Sequence, residues 1–248
     1  MKLNKLIAIA TISLLSGGIS MAQKALNLED IVAGNIIQTK GIGSMTWLKD
    51  GERYSRLENN KQTGGTDIVA YRAKDNSREV IIPSSLLTDK STGRPIPVRS
   101  VSWSADNEKV LIYNNTRRVW RYDTRGDYWV LNLKDGALRQ LGKGMPESSM
   151  MFAKFSPDGT RVAYVSNNNI YVEDIDSGKI TQLTKDGSDT IVNGTFDWVY
   201  EEEFSCRDGF RWSPDGKHIA YWQSDTKGTG VFDIINNVDS IYAKVIHF

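Results

Sequence analysis

Cysteine and histidine are the scarcest chemically reactive residues in this sequence of 248 residues. Cys206 is the one cysteine, so no disulfide can form within the chain and the fold must depend on its hydrophobic core. The two histidines, His218 and His247, lack the short spacing to each other or to Cys206 that zinc ligands have. We therefore predict no metal site and no cofactor, and we interpret both histidines as structural residues.

The sequence also lacks an excess of charge and a long hydrophobic run. Its formal net charge is +1 and no concentrated basic face is visible, so neither a nucleic acid nor a membrane surface is a predicted partner. The apolar stretch at residues 6–15 is too short to span a hydrocarbon core of about 30 Å. It follows Lys2 and Lys5 and precedes small residues that end at Ala22, which is typical of a secretory signal peptide. We expect residues 1–22 to be removed and the mature chain to be periplasmic or secreted, without a membrane anchor.

Four short segments repeat an aromatic residue followed by a polar turn. They begin at Trp47, Trp103, Phe155 and Trp212, and they read WLKDG, WSADN, FSPDG and WSPDG. Proline presets the first turn position, aspartate bonds to the backbone and glycine accepts a positive φ, so each segment predicts a tight turn before a strand. Successive aromatic residues lie 56, 52 and 57 positions apart, and each interval has room for about four short strands.

Short strands that recur about every fifty residues are typical of the blades of a β-propeller. We therefore predict an all-β fold, a partial β-propeller of about four four-stranded blades within residues 23–248. A short helix is predicted at its N-terminal end, over NLEDIVA at residues 27–33, with Asn27 as N-cap and Gly34 as the stop. Because the sequence ends within a strand-like run at residues 240–246, we expect an incomplete propeller domain from a longer protein.

One connection between the repeats is longer than the others. The last predicted strand of a unit ends 16 positions before Trp103 and 14 before Phe155, but 29 positions separate Leu183 from Trp212. The extra length contains FDWVYEEEF at residues 196–204, three consecutive carboxylates flanked by four aromatic residues. Insertions on one face of a repeat protein are common places for binding residues.

The acidic insertion has two interpretations. Adjacent carboxylates repel one another and are costly to bury without a cation, so partly packed aromatic residues around them predict a pocket for a cation such as a peptide's terminal ammonium. The alternative is a solvated turn of a short helix that the aromatic residues merely anchor.

The string DWVYEEE at residues 197–203, with WSPDG at 212–216 and AY at 220–221, closely resembles the propeller of dipeptidyl peptidase IV in the prolyl oligopeptidase family, particularly its exported bacterial members. The resemblance covers most of the mature chain, and DWVYEEE is its specific part. It implies a serine peptidase that releases N-terminal dipeptides with proline or alanine in second place. It also implies that Glu202 and Glu203 bind the substrate's free amino terminus, with Glu201 as a structural support.

The same resemblance implies an arginine in an earlier blade that binds a carbonyl of the substrate. WRY at residues 120–122 resembles that region, which makes Arg121 the candidate. The alternative is that Arg121 is one more surface cation among Arg117, Arg118 and Arg125.

The catalytic residues of the family lie in a C-terminal α/β-hydrolase domain, where a serine in G-x-S-x-G is followed by aspartate and histidine. The 248 residues contain no G-x-S-x-G, so we predict no catalytic residue in them. The implied partners are peptide N-termini and that hydrolase domain of the intact protein, and a homodimer of the intact enzyme stays open. The alternative function is a non-catalytic exported propeller, a binding or assembly module whose glutamates hold a basic segment of a partner.

Overall fold

The computed structural model describes residues 27–32, 41 and 43–247. The predicted signal peptide at residues 1–22 and the predicted helix stop at Gly34 lie outside these described residues. The chain divides into two compact units, Met1–Ile42 and Gly43–Phe248. In the first unit the predicted helix is present as α1 (Leu28–Val32), and the Asn27 carbonyl accepts the Ile31 N–H at 3.2 Å. No helix in the described part of the chain has the length and apolar composition needed to cross a lipid bilayer.

The second unit consists mainly of short strands. In chain order they are β1 (Met45–Trp47), β2 (Arg53–Asn59), β3 (Thr66–Arg72), β4 (Arg78–Ile82), β5 (Thr88–Asp89), β6 (Arg94–Pro95), β7 (Ser100–Trp103), β8 (Lys109–Val119), β9 (Tyr122–Asn132), β10 (Leu138–Gln140), β11 (Met150–Phe155), β12 (Arg161–Ser166), β13 (Asn169–Asp174), β14 (Ile180–Gln182), β15 (Ile191–Asn193), β16 (Phe210–Trp212), β17 (Ile219–Tyr221), β18 (Gln223–Asp225), β19 (Asp233–Asn236) and β20 (Lys244–His247). A 3-10 helix (Ser84–Leu87) follows β4, and helix α2 (Trp198–Phe204) lies between β15 and β16.

The strands pair as antiparallel blades in sequence order. β1 to β4 form one four-stranded sheet, and β7 to β14 form an eight-stranded sheet that contains two further blades, β7 to β10 and β11 to β14. The second and third blades are joined where Met150 of β11 pairs with Gly126 of β9. In the fourth repeat, β15 pairs with β18 and β16 pairs with β17, and a hairpin of β19 and β20 follows.

The turns of the second, third and fourth repeats each contain one serine hydroxyl that bonds to both ends of the turn. The hydroxyls of Ser104, Ser156 and Ser213 donate to the aspartate two residues later at 2.5 to 2.6 Å. Each hydroxyl also accepts the backbone N–H five residues later at 2.9 to 3.0 Å. Gly159 and Gly216 both have φ of +68°, a conformation that glycine adopts without steric strain. The turn chemistry predicted from the sequence is therefore present in the structure.

Alternating side chains place the core between neighbouring blades. On β8, Val110 and Ile112 pack toward the first blade, whereas Leu111 between them packs toward the third. On β12, Val162 and Tyr164 likewise pack against the second blade, while the next layer contains Ala163 and Val165. Successive side chains of a strand point to opposite faces, so each middle strand buries both of its faces.

Two of the repeated tryptophans connect their own blade to the one before it. The Trp103 indole N–H donates to the Ser55 hydroxyl at 3.1 Å, and the Trp212 indole N–H donates to the Lys154 carbonyl at 3.3 Å. Two of the four aromatic residues that mark the repeats are thus contacts between repeats.

Candidate functional site

The acidic insertion leaves the fourth blade through a narrow base. Thr195 and Asp208 pair there as an isolated antiparallel bridge, and the Gly209 N–H donates to the Gly194 carbonyl at 3.1 Å. A Cβ atom on Gly209 would lie 2.9 Å from the Gly194 carbonyl carbon and from the Thr195 nitrogen. This close backbone approach requires glycine at position 209 and brings the two ends of the insertion together.

A lysine from the third blade fixes the same base. The Lys154 ammonium on β11 forms an ion pair with Asp208, donates to the Phe210 carbonyl at 2.9 Å and lies 3.8 Å from the centre of the Phe210 ring. Burial lowers the pKa of Lys154, although the Asp208 carboxylate opposes that effect. Arg211 also contacts Asp208, at 2.9 Å, so this carboxylate is held by two cations.

The acidic residues themselves lie on helix α2, which is capped at both ends. The Asp197 carboxylate accepts the Tyr200 N–H at 3.0 Å, as an N-cap side chain does. Ser205 ends the helix in the left-handed conformation with φ of +54°, and the Cys206 N–H donates to the Tyr200 carbonyl at 3.0 Å. The caps determine which residues are helical and therefore where each carboxylate points.

The three glutamates differ in their exposure because successive helical residues are about 100° apart around the axis. Glu201 is 4% exposed, the Glu202 side chain is 5% exposed, and Glu203 is exposed to solvent. One carboxylate oxygen of Glu201 and one of Glu202, Oε1 in both, are buried without a hydrogen-bond partner among the described residues. A short helix is therefore present, as the alternative interpretation held, but two of its carboxylates are not solvated.

Charge and burial act on Glu201 in opposite directions. Burial raises the pKa of its carboxyl, the nearby Arg207 charge works against this increase, and the neighbouring Glu202 adds to it. A buried carboxylate oxygen without a donor is unfavourable, because it has lost its hydrogen bonds to water and no protein donor replaces them. The pair of buried oxygens consequently favours a cationic hydrogen-bond donor.

The structure brings two of the predicted site residues into contact. Arg121 lies at the tip of the hairpin formed by β8 and β9, and its Nε atom is 2.7 Å from Oε2 of Glu202. The Arg121 side chain remains 75% exposed. In the described part of the chain, by contrast, no carboxylate pairs with Arg117 or Arg118, which are exposed on the same hairpin.

Two residues that sequence reasoning missed complete this contact region. The guanidinium carbon of Arg207 lies 4.1 Å from the ring centre of Tyr122, which follows Arg121 at the hairpin tip. Arg207 follows the acidic string by only four positions, and a positive residue so close to three carboxylates was the available signal. The importance of Tyr122 had no such signal, because it depends on a contact between distant parts of the chain.

The aromatic residues of the insertion are less buried than the sequence suggested. Phe196 is 9% exposed, whereas Trp198, Tyr200 and Phe204 are 41%, 41% and 64% exposed. The Tyr200 ring stacks on Phe196 with centres 5.3 Å apart and contacts Phe204 at 5.6 Å. Packing is therefore confined mainly to Phe196, and the other rings border the acidic residues as an exposed apolar surface.

The remaining predicted residues lie elsewhere. His218 is exposed in the turn before β17, and its backbone N–H donates to Ser213. Nδ1 of His247 on β20 lies 2.6 Å from Asp233 on β19. Among the described residues, no group of three or more His, Cys, Asp or Glu side chains is arranged to hold a metal ion.

A family model matches the part of the chain that contains this site. Its description is dipeptidyl peptidase IV (DPP IV) N-terminal region, and it matches residues 104–248. The match extends over more than half of the chain and includes both the β8–β9 hairpin and helix α2.

Curated relatives match the chain over a small part of their own length. A protein described as "Probable dipeptidyl-aminopeptidase B" from Chaetomium globosum is 36% identical over 135 residues, which is 54% of this chain and 15% of the relative. A protein with the same description from Aspergillus terreus is 28% identical over 220 residues, 85% of this chain and 24% of the relative. The chain thus spans a quarter or less of the length of these relatives.

A solved structure has the same fold. The crystal structure of Porphyromonas gingivalis dipeptidyl peptidase 4 superimposes with a TM-score of 0.73 at 24% sequence identity, covering 91% of this chain and 31% of that chain. At this identity the likeness shows the fold alone. Together with the blades described above, it confirms the predicted all-β class and the partial β-propeller.

Proposed function

The chain belongs to the family of the dipeptidyl peptidase IV N-terminal region, and from this membership we propose that it is the substrate-binding propeller part of a serine-type dipeptidyl peptidase. Glu202 and Glu203 bind the terminal ammonium of a peptide, and Arg121 binds a carbonyl of the same peptide. One observation carries this proposal: Arg121 binds one oxygen of the buried Glu202 carboxylate, and the other oxygen has no partner among the described residues.

A terminal ammonium has the chemistry that this site needs. It carries a positive charge and three N–H donors, and the unpartnered buried oxygen of Glu202 and the exposed carboxylate of Glu203 are available as acceptors. Charge-assisted hydrogen bonds of this kind contribute about 1.5 to 3 kcal/mol each. An acetylated or otherwise blocked amine would lose the charge and most of the donors.

Arg121 suits a second role because the guanidinium group has several N–H donors. Its Nε atom contacts Glu202, which leaves other donors of a largely exposed side chain for a peptide carbonyl. The contact with Glu202 also restricts the rotamers of Arg121, so less conformational entropy is lost when substrate binds.

Binding the amine at a fixed place determines which peptide bond of the substrate is cleaved. If the ammonium is held at Glu202 and Glu203, only the bond two residues away reaches a nucleophile at the correct distance. The nucleophile belongs to the hydrolase domain that the relationship implies for the intact protein. The products are N-terminal dipeptides with proline or alanine in second place.

The assay that tests this function is hydrolysis of Gly-Pro-nitroanilide by the full-length gene product. We expect Glu202→Ala and Glu203→Ala to reduce kcat/KM at least tenfold, mainly through KM, since each removes a charged acceptor of the ammonium. Arg118→Gln is the matched control, because it removes an exposed charge from the same hairpin. The N-acetylated substrate should not be cleaved.

Two results would contradict the proposal. Full hydrolysis by both glutamate variants would show that the carboxylates do not bind the amine. A wild-type gene product that cleaves nothing, yet binds a basic protein segment through the same glutamates, would favour the alternative of a non-catalytic binding module.

We propose further that the chain is exported, because residues 1–22 have a positive start, an apolar segment and small residues before the cleavage position. N-terminal sequencing of the protein purified from the periplasm or medium should begin at Gln23. Recovery of the protein in the cytoplasm with Lys2 still present would contradict export.

A further inference from the structure

Arg207 connects the two elements that form the amine site, although it is not itself one of the residues that bind the amine. We propose that Arg207 is a positioning residue: by contacting Tyr122 at the hairpin tip, it keeps Arg121 and the glutamates in register. This inference rests on the proposed function, since it concerns the same site. It assigns a role to a side chain outside the acidic string.

The backbone of Arg207 starts from a fixed position. Its carbonyl accepts the Thr195 hydroxyl at 3.2 Å across the base of the insertion. The next residue, Asp208, is paired with Thr195 and forms an ion pair with Lys154 of the third blade. Because its backbone is held against the fourth and third blades, the Arg207 side chain has a fixed starting point for its contact with the hairpin.

The side chain of Arg207 contacts the hairpin beside the arginine of the site. Its guanidinium carbon is 4.1 Å from the centre of the Tyr122 ring, within the range of a favourable cation–π contact. The preceding residue, Arg121, makes the 2.7 Å contact with Glu202. Consecutive residues of the hairpin tip are therefore held by two different parts of the insertion, so the hairpin cannot shift without breaking both contacts.

The charge of Arg207 acts on the buried carboxylate as well. It counteracts the effect of burial on Glu201, whereas the adjacent Glu202 is a like charge that adds to that effect. Facing these carboxylates from the hairpin is Arg121, which contacts Glu202. Without Arg207, Glu201 would keep its proton to a higher pH, and the negative charge beside the ammonium-binding Glu202 would be weaker there.

A positioning role predicts a specific kinetic signature in the Gly-Pro-nitroanilide assay of the full-length gene product. We expect Arg207→Gln to raise KM about threefold to tenfold and to leave kcat within about twofold, because one cation–π contact is lost and no reacting atom is touched. Arg207→Lys should restore part of the loss, because it keeps the charge without the planar guanidinium.

The partner side chain supplies a second set of variants. Tyr122→Phe should behave as the wild type because the ring remains, whereas Tyr122→Ala should raise KM as Arg207→Gln does. The double variant Arg207→Gln/Tyr122→Ala should raise KM by less than the product of the two single increases, since both changes remove the same contact. Thermal unfolding of each variant, together with Arg118→Gln as the charge control, separates a local effect from a loss of fold.

A pH profile gives a readout that a merely structural role would not change. In Arg207→Gln the acidic limb of kcat/KM should move to higher pH, because the group that favours the ionised carboxylate is gone. The same limb should not move in Arg118→Gln.

The outcomes separate this inference from the proposed function. If Glu202→Ala raises KM but Arg207→Gln and Tyr122→Ala behave as Arg118→Gln does, the positioning role is wrong and the proposed function stands. If Glu202→Ala has no effect, the proposed function itself fails. If Arg207→Gln does not fold, the double variant Arg207→Lys/Tyr122→Ala replaces it. An increase in KM equal to the product of the two single increases would overturn the coupling, and a smaller increase would support it.

Discussion

The buried carboxylate of Glu201 is the residue whose environment differs most from that of an ordinary surface glutamate. Burial raises its pKa above the usual value, and Arg207 offsets the increase only in part. A group whose pKa is higher in the folded than in the unfolded state stabilises the fold when it is protonated. That contribution is fully present at acidic pH and is lost as the pH rises through the raised pKa.

The raised pKa of Glu201 leads to a prediction for the stability of Glu201→Gln. The amide keeps the shape of the side chain without the buried charge, so we expect Tm at pH 7 to rise by about 1 to 3 °C. The difference from the wild type should disappear near pH 4, where the wild-type carboxyl binds its proton. Differential scanning calorimetry at both pH values checks it, with the exposed Glu203→Gln as control. A lower Tm for Glu201→Gln at pH 7 would show that the ionised carboxylate is needed to hold Arg207.

At the scale of elements, the repeated turn is the unit that recurs through the chain. In the third copy the Ser156 hydroxyl donates to Asp158, and this contact, supported by the Thr160 backbone N–H, lowers the pKa of Asp158 from 3.8 to about 2. A carboxyl whose pKa is lowered by folding stabilises the fold above its ordinary pKa, and that contribution is lost as the pH falls toward the lowered value.

We therefore expect Asp158→Ala to lower the free energy of unfolding by about 1 kcal/mol at pH 7. The difference in the free energy of unfolding between the wild type and the variant should shrink as the pH falls from about 4 toward 2, because the wild-type carboxyl becomes protonated there. Urea unfolding across this pH range measures it, and Asp176→Ala provides an exposed aspartate as the matched control. An equal deficit at pH 7 and pH 2 would mean that the turn depends on shape rather than on the ionised carboxylate.

For the whole molecule, the contacts between blades decide whether the repeats form one body. Glu173 on β13 is buried, with a side chain that is 1% exposed, and it contacts Arg139 of the second blade at 3.1 Å. Its other oxygen accepts the Gly142 N–H at 2.8 Å and the Tyr164 hydroxyl at 3.3 Å. One carboxylate therefore satisfies donors from two blades.

Removing that carboxylate should leave several donors unsatisfied at the interface. We expect Glu173→Ala to lower the free energy of unfolding by about 2 to 4 kcal/mol, because removing one member of an interface ion pair leaves the other without a partner. Glu79→Ala is the control: its contact with Arg53 is largely exposed, and we expect a change of about 0 to 1 kcal/mol. Chemical denaturation measures both, and equal small effects would show that blade packing does not depend on this contact.

Much of the blade pattern could be predicted from the sequence. The repeated segment FSPDG at residues 155–159 predicts a strand after its turn and further strands before the next repeat, and β12 (Arg161–Ser166) and β13 (Asn169–Asp174) follow it. Other parts could not be predicted. The hairpin of β8 and β9 extends to its tip at Arg121 through residues with no clear alternation, and most aromatic residues of the insertion are exposed. Their exposure depends on which blade lies opposite, and local composition does not encode that.

The sequence by itself determined the repeated turns, the alternating strands and the identity of the acidic segment, because each depends on residues a few positions apart. Only the tertiary structure decided that Glu201 and Glu202 are buried while Glu203 is exposed, and that Arg121 reaches Glu202 across 81 positions of sequence. The physical reason is that such contacts arise when whole blades stack. Their geometry depends on backbone closure at Gly209 and on packing between sheets, to which residues from several blades contribute together.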